Sequence, residues 1–131
     1  MTTLSGVWLP IVTPFHGGVV DFVSYEKLIE HYIVAGVSGI FPLGTTGESP
    51  TLDDDESEAL VERTLGVVAG RVPVFVGIGS NSTVKALKML HRLDRLISPG
   101  SSRSALITTV RRRTGCASIS IRLPRRQTAR S

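Results

Sequence analysis

One cysteine, Cys116, is all the chain contains, so it can build neither an intramolecular disulfide framework nor a metal cluster of cysteine type. Long apolar runs are missing too. None reaches the roughly 18 to 20 residues of a membrane-spanning helix, and the first residues lack the charged segment and apolar stretch of a secretory signal. A cytoplasmic protein without membrane contact is expected. Other absences are regional: no tyrosine follows Tyr32, no Phe, Tyr or Trp follows Phe75, no lysine follows Lys88 and no acid follows Asp94. Residues 95–131 hold nine arginines and a net charge of +9, whereas residues 1–94 set six basic side chains against eleven acids, a net −5. Such asymmetry invites a nucleic-acid or membrane reading of the basic part. Without aromatics to stack on bases, only nonspecific attraction to phosphates is expected of it.

What is present before residue 95 alternates in a regular way. The apolar run 6–13 reads as a buried parallel strand, since it lacks the alternation of a half-exposed one. A Gly-rich turn over 15–22 follows. Asp21 or Ser24 can start the next helix, Ser24 being the better cap, and Leu28, Ile29, Tyr32, Ile33 and Val34 recur at helical spacing until Gly36. His31 lies inside this helix with no second His or Cys at ligand spacing, so a surface or packing role is expected. The run 39–43 is a second strand. Thr51 can cap a second helix whose acids, Asp53 to Glu56, fall at the positive end of its dipole. Three adjacent carboxylates point in different directions on a helix and do not converge on one ion. Leu60, Val61, Thr64, Leu65 and Val68 give this helix its buried stripe, Gly70 ends it, and 72–78 is a third strand. The loop Gly77–Thr83 lacks both the lysine of a phosphate loop and the third glycine of a dinucleotide fingerprint. Ser82 or Thr83 caps a third helix through Leu93. Strands alternating with helices at about 30-residue spacing indicate an α/β chain of parallel βα units.

The segment Gly44-Thr45-Thr46-Gly47-Glu48, launched from the second strand, carries the chemistry. It offers two adjacent hydroxyls and several backbone amides, a set that can bind a carboxylate without a full positive charge beside it. Gly44 and Gly47 let the backbone approach a ligand closely.

Three blocks of words, LSGVWLPIVTPF, YEKLIEHYIVAGVSGIFPLGTTGESPTL and RVPVFVGIGSNST, resemble the dihydrodipicolinate synthase / N-acetylneuraminate lyase family of pyruvate-dependent class I aldolases. The likeness runs from about Leu4 to about Arg95. It implies the (β/α)8 TIM barrel, of which this chain holds an N-terminal portion of about three βα units, with residues 1–95 as a partial barrel. It also implies chemistry in which a lysine on a later strand forms a Schiff base with pyruvate, giving an enamine that attacks a small aldehyde. No further cofactor or metal is implied, and the full-length proteins are homo-oligomers. Carried over by position, Thr46 holds the pyruvate carboxylate, Gly44 and Gly47 shape the substrate site, and Thr45 belongs to a hydroxyl relay that moves protons. A Thr-Thr pair favours the synthase branch, which joins pyruvate to aspartate semialdehyde for lysine and diaminopimelate biosynthesis, over sialate lyases. Sugar-acid aldolases of the family also carry it.

The chain departs from the family after Arg95. The family's Pro-Tyr-Tyr-Asn segment and its Schiff-base lysine have no counterpart, and Lys85 and Lys88 belong to the third helix, on the outside of the barrel. This polypeptide is therefore expected to be inactive. In the frame one nucleotide upstream, codons for Ala105-Leu106-Ile107-Thr108-Thr109-Val110-Arg111 can encode Cys-Pro-Tyr-Tyr-Asn-Arg-Pro. Those for Arg113 to Ala117 can encode Gln-Asp-Gly-Leu-Arg. Residues 96–131 are thus expected to be an out-of-frame, disordered, Arg-rich tail on a poorly stable fragment whose sheet has two open edges. The rival reading is a basic nucleic-acid-binding fragment.

Overall fold

The computed structural model describes residues 5–78, 80 and 82–97 and the backbone of 105–108. Its elements are β1 (Trp8–Pro10), β2 (Phe15–His16), β3 (Val19–Val20), α1 (Phe22–Val34), β4 (Gly39–Phe41), α2 (Asp54–Val68), β5 (Val74–Gly77), α3 (Thr83–Leu96) and β6 (Ala105–Thr108). β1, β4, β5 and β6 form one parallel sheet in that order, with Leu9 beside Ile40, Ile40 beside Val74 and Val74 beside Ala105. A helix lies between each consecutive pair, as parallel strands require.

A fourth strand stands at Ala105–Thr108, within the segment expected to be disordered, and α3 runs to Leu96, three residues past its expected end at Leu93, with Ile97 buried behind it. The remainder of the expected tail, 98–104 and 109–131, lies outside the described residues, as do the side chains of β6. All three expected strands are shorter than their apolar runs, the first and third at both ends and the second at its C-terminal end, where the apolar residues pass into the adjoining loops. The Gly-rich turn over 15–22 is a hairpin: Phe15 pairs with Val20 and His16 with Val19 across Gly17 and Gly18. Both glycines have positive φ, at 59° and 80°, the conformation that a two-residue hairpin turn demands at both central positions.

Asp21, not Ser24, caps α1. Its carboxylate accepts from the Ser24 amide at 3.0 Å and from the Ser24 hydroxyl at 2.6 Å, so Ser24 is the donor the cap satisfies. Likewise Asp53, not Thr51, caps α2. Asp53 accepts from the Glu56 amide at 2.7 Å while the Glu56 carboxylate accepts from the Asp53 amide at 3.0 Å, a reciprocal box worth about 1 kcal/mol or more. Ser82 caps α3.

The helix-facing side of the sheet is the core. Ile40, Val74 and Val76 pack under Tyr25 and Ile29 of α1, the stripe Leu60, Val61, Leu65 and Val68 of α2, and Leu93 of α3, all buried. At about 1.5 to 3 kcal/mol for each large side chain removed from water, this one layer supplies most of the fold's stability. The opposite face holds Trp8, Phe41 and Phe75, only half buried, with Trp8 edge-on to Phe75 at 6.0 Å and Phe41 tilted against Phe75 at 5.4 Å.

Helices α1 and α2 are joined by a buried polar pair. The Thr64 hydroxyl donates to the Leu60 carbonyl at 2.7 Å, so its contact with the Tyr25 hydroxyl, also 2.7 Å, is one in which tyrosine donates. Burial holds the Tyr25 phenol far above its ordinary range, and it stays protonated as that bond requires. Thr64→Val leaves the phenol buried with no acceptor and should cost about 1 to 3 kcal/mol. Tyr25→Phe removes only the donor and should cost less, an order that denaturant melts of the two variants would check.

Surface ion pairs repeat the same linkage. Arg63 reaches Glu26 at 2.7 Å, Arg71 grips Glu30, and Arg92 of α3 joins Asp55 and Glu58 of α2. Hydrogen bonds from Arg71 hold the Glu30 carboxyl below its ordinary 4.5, and the Ser24 hydroxyl and amide hold Asp21 below 3.8. Both groups are more acidic folded than unfolded. Their stabilisation is whole above those ordinary values and lost as pH falls through the depressed ones. Melting midpoints followed by circular dichroism should decline below about pH 4.5, and Glu30→Gln should flatten part of that decline.

Candidate functional site

The loops after β1, β4 and β5 gather at one end of the sheet, the C-terminal end of parallel strands, where such folds place their chemistry. The loop after β4 carries Thr45 and Thr46 in a single 3-10 turn, Thr45–Gly47. Two residues outside the glycines bracket it in left-handed conformation, Leu43 at φ 58° and Glu48 at φ 55°. Each costs of order 1 kcal/mol or more, and each is held by its surroundings. Leu43 is buried in the core. Glu48 is tied by its carbonyl, which accepts from the Thr51 amide at 2.9 Å and from the Thr51 hydroxyl at 2.8 Å.

Thr13, in the loop after β1, fixes the turn from the other side. Its buried hydroxyl donates to the Gly47 carbonyl at 2.7 Å across 34 residues of sequence. Gly44 and Gly47 are both buried. A Cβ on Gly44 would lie 2.7 Å from the Phe41 ring, and one on Gly47 would lie 3.2 Å from the Ile11 carbonyl. The room these glycines leave is filled by the protein's own atoms, which seats the turn against β1 and β4. Gly77 has a matching function: a Cβ there would lie 2.7 Å from the Leu43 carbonyl, and its amide donates to the Pro42 carbonyl at 3.1 Å.

With the backbone so fixed, Thr45 and Thr46 are left exposed. The amides of Gly47 and Glu48 are used inside the turn, bonding the Gly44 and Thr45 carbonyls at 3.0 and 3.1 Å. Those of Thr45 and Thr46 precede the first bond of the turn and take no part in it. The turn thus carries two exposed threonines whose amides are not used within it, a set suited to a small carboxylate. Thr13 is the residue that sequence reasoning passed over. Its signal was the Thr-Pro pair at the same end of β1 as the Thr-Thr turn of β4.

Other candidates take no part in this turn. Lys85 and Lys88 are exposed on α3 and His31 is exposed on α1. The Asp53–Asp55 run serves as helix cap and as partner to Arg92. Among the described residues no three His, Cys, Asp or Glu side chains converge as a metal site would need, and no helix there is long and apolar enough to cross a membrane.

Residues 3–96 match the model of the dihydrodipicolinate synthetase family. The 4-hydroxy-tetrahydrodipicolinate synthase of Thermotoga petrophila is 50% identical over 95 residues, which is 72% of this chain and 32% of that protein. The crystal structure of dihydrodipicolinate synthase from Thermotoga maritima superposes with a TM-score of 0.69 at 47% identity, covering 79% of this chain and 34% of the other. The chloride-inhibited dihydrodipicolinate synthase of Acinetobacter baumannii, solved in complex with pyruvate, superposes at 0.71 with 35% identity over 82% of this chain and 36% of that one. The chain thus spans about a third of the length of the relatives it matches.

Proposed function

This chain belongs to the dihydrodipicolinate synthetase family, and from that premise we propose that its first 95 residues are the opening portion of a 4-hydroxy-tetrahydrodipicolinate synthase, a cytoplasmic enzyme that condenses pyruvate with aspartate semialdehyde. The observation that carries this reading is the exposed Thr45–Thr46 pair, held in a 3-10 turn at the C-terminal end of β4. Thr46 would take the pyruvate carboxylate by hydroxyl and amide. Thr45 would pass protons as the ketone and a lysine from a later strand form their imine. Thr13 would position both, since it holds the turn that carries them. That the A. baumannii relative was solved with pyruvate supports the same ligand class here.

The 131-residue polypeptide has no lysine after Lys88, and those it has lie on helices α1 and α3. Without an imine there is no electron sink, and positioning alone does not replace it. The family match ending at residue 96, where the acids and lysines also end, supports a change of reading frame near codon 95.

The test uses the protein read through in the upstream frame. Thr46→Val should raise the KM for pyruvate by about 10-fold or more, the loss of a hydrogen bond to a charged group. Thr45→Val should lower kcat by about 10²-fold, as removal of a proton relay does. Equal effects of both on KM alone would contradict these two roles.

A further inference from the structure

We propose that two copies of the 131-residue chain close on one another into an eight-stranded barrel, β6 of each pairing in parallel with β1 of the other. Among the described residues the sheet has four parallel strands, and its outer members β1 and β6 have one partner each. All four run in the same direction. A two-fold rotation about an axis along the strands therefore brings the open edge of β6 beside the open edge of β1 in the sense both need. The operation repeats at the second seam and leaves no edge. Four strands are half of the eight that close a (β/α)8 barrel.

The second face of the sheet has the same requirement. Parallel sheets are buried on both faces, yet here only the helix side is fully covered. Trp8, Phe41 and Phe75 line the other face half buried, and the Trp8 indole nitrogen is out of contact with solvent with no hydrogen-bond partner among the described residues. Apolar exposure extends to the open edge, where Val7 and Val12 bracket β1 at 62% and 43% exposed. Pro10 takes one donor out of that edge, which confines the pairing there to the residues on either side of it.

Charge selects a second copy as the occupant. The segment that contains β6 carries Arg103 and Arg111–Arg113 on its flanks and a net +9, while the portion bearing β1 has a net −5. The two portions of the chain are thus opposite in sign, so a second copy carries a complement to each. The inference concerns the folding of this chain and is independent of the catalytic roles given to Thr45 and Thr46.

Analytical ultracentrifugation of the 131-residue chain should show one species of twice 14.1 kDa at high micromolar concentration, dissociating on dilution. Trp8 is the sole tryptophan, so its emission should move to the blue as the dimer forms and the aromatic face closes. Val12→Lys and, separately, Val7→Lys place a charge on the β1 edge, and each should give a monomer that keeps its helical circular dichroism. Val34→Lys, at an α1 position 82% exposed, should stay dimeric. A parent that is monomeric throughout, an open series of larger species, or edge variants as dimeric as the parent would each overturn the proposal.

Discussion

Restoring one nucleotide near codon 95 should convert an inactive 131-residue polypeptide into a full-length (β/α)8 aldolase that forms a pyruvate imine and assembles into a homo-oligomer. The expected gain is from no turnover to the rate of an ordinary enzyme, because a covalent electron sink is present or absent and has no intermediate value. The turn Thr45–Gly47 is seated by Gly44, Gly47 and the Thr13 hydroxyl, and Thr45 and Thr46 are exposed after β4. The proposed site takes its lysine and tyrosine segment from the upstream frame, in which the codons of Ala105–Arg111 have a family-like alternative reading. Steady-state assay with pyruvate and aspartate semialdehyde, beside a borohydride trap, would check the gain.

The converse prediction applies to the chain as it stands. Borohydride reduction in the presence of pyruvate should leave its mass unchanged. Lys27 is exposed on α1, and Lys85 and Lys88 are exposed on α3. None lies on a strand of the described sheet. A stable pyruvyl adduct on any of the three would show that the imine site is complete without a later strand.

How far the sequence foretold this structure varied with the range of the interactions involved. The α2 stripe of Leu60, Val61, Thr64, Leu65 and Val68 was legible because helical spacing is a local property, and all five are buried. Caps were harder. Asp21 and Ser24 both qualify by residue type, and only the position of the first turn decides that Asp21 accepts and Ser24 donates. Strand ends are overrun because apolar burial continues past them: Ile11 and Ile78, just after β1 and β5, are buried as fully as the strand residues. At the site, the Thr-Thr turn was visible as a word, but Thr13 was not. Its bond to Gly47 exists only once the sheet has set β1 beside β4. β6 is hard to read for a different reason: Ala105–Thr108 sits in an Arg-rich segment without periodic pattern, although its Leu, Ile and Thr suit a strand.

The central claim is that residues 1–95 begin a family barrel whose catalytic lysine is encoded in another frame of the same DNA. Reading that DNA tests it most directly. The frame one nucleotide upstream, from about codon 95, should encode the Pro-Tyr-Tyr-Asn segment and stay open beyond the codon for Ser131 through the remaining barrel units to the lysine strand. Stop codons scattered through that frame immediately after codon 95 would contradict the claim and leave the arginine-rich segment as a true part of the protein.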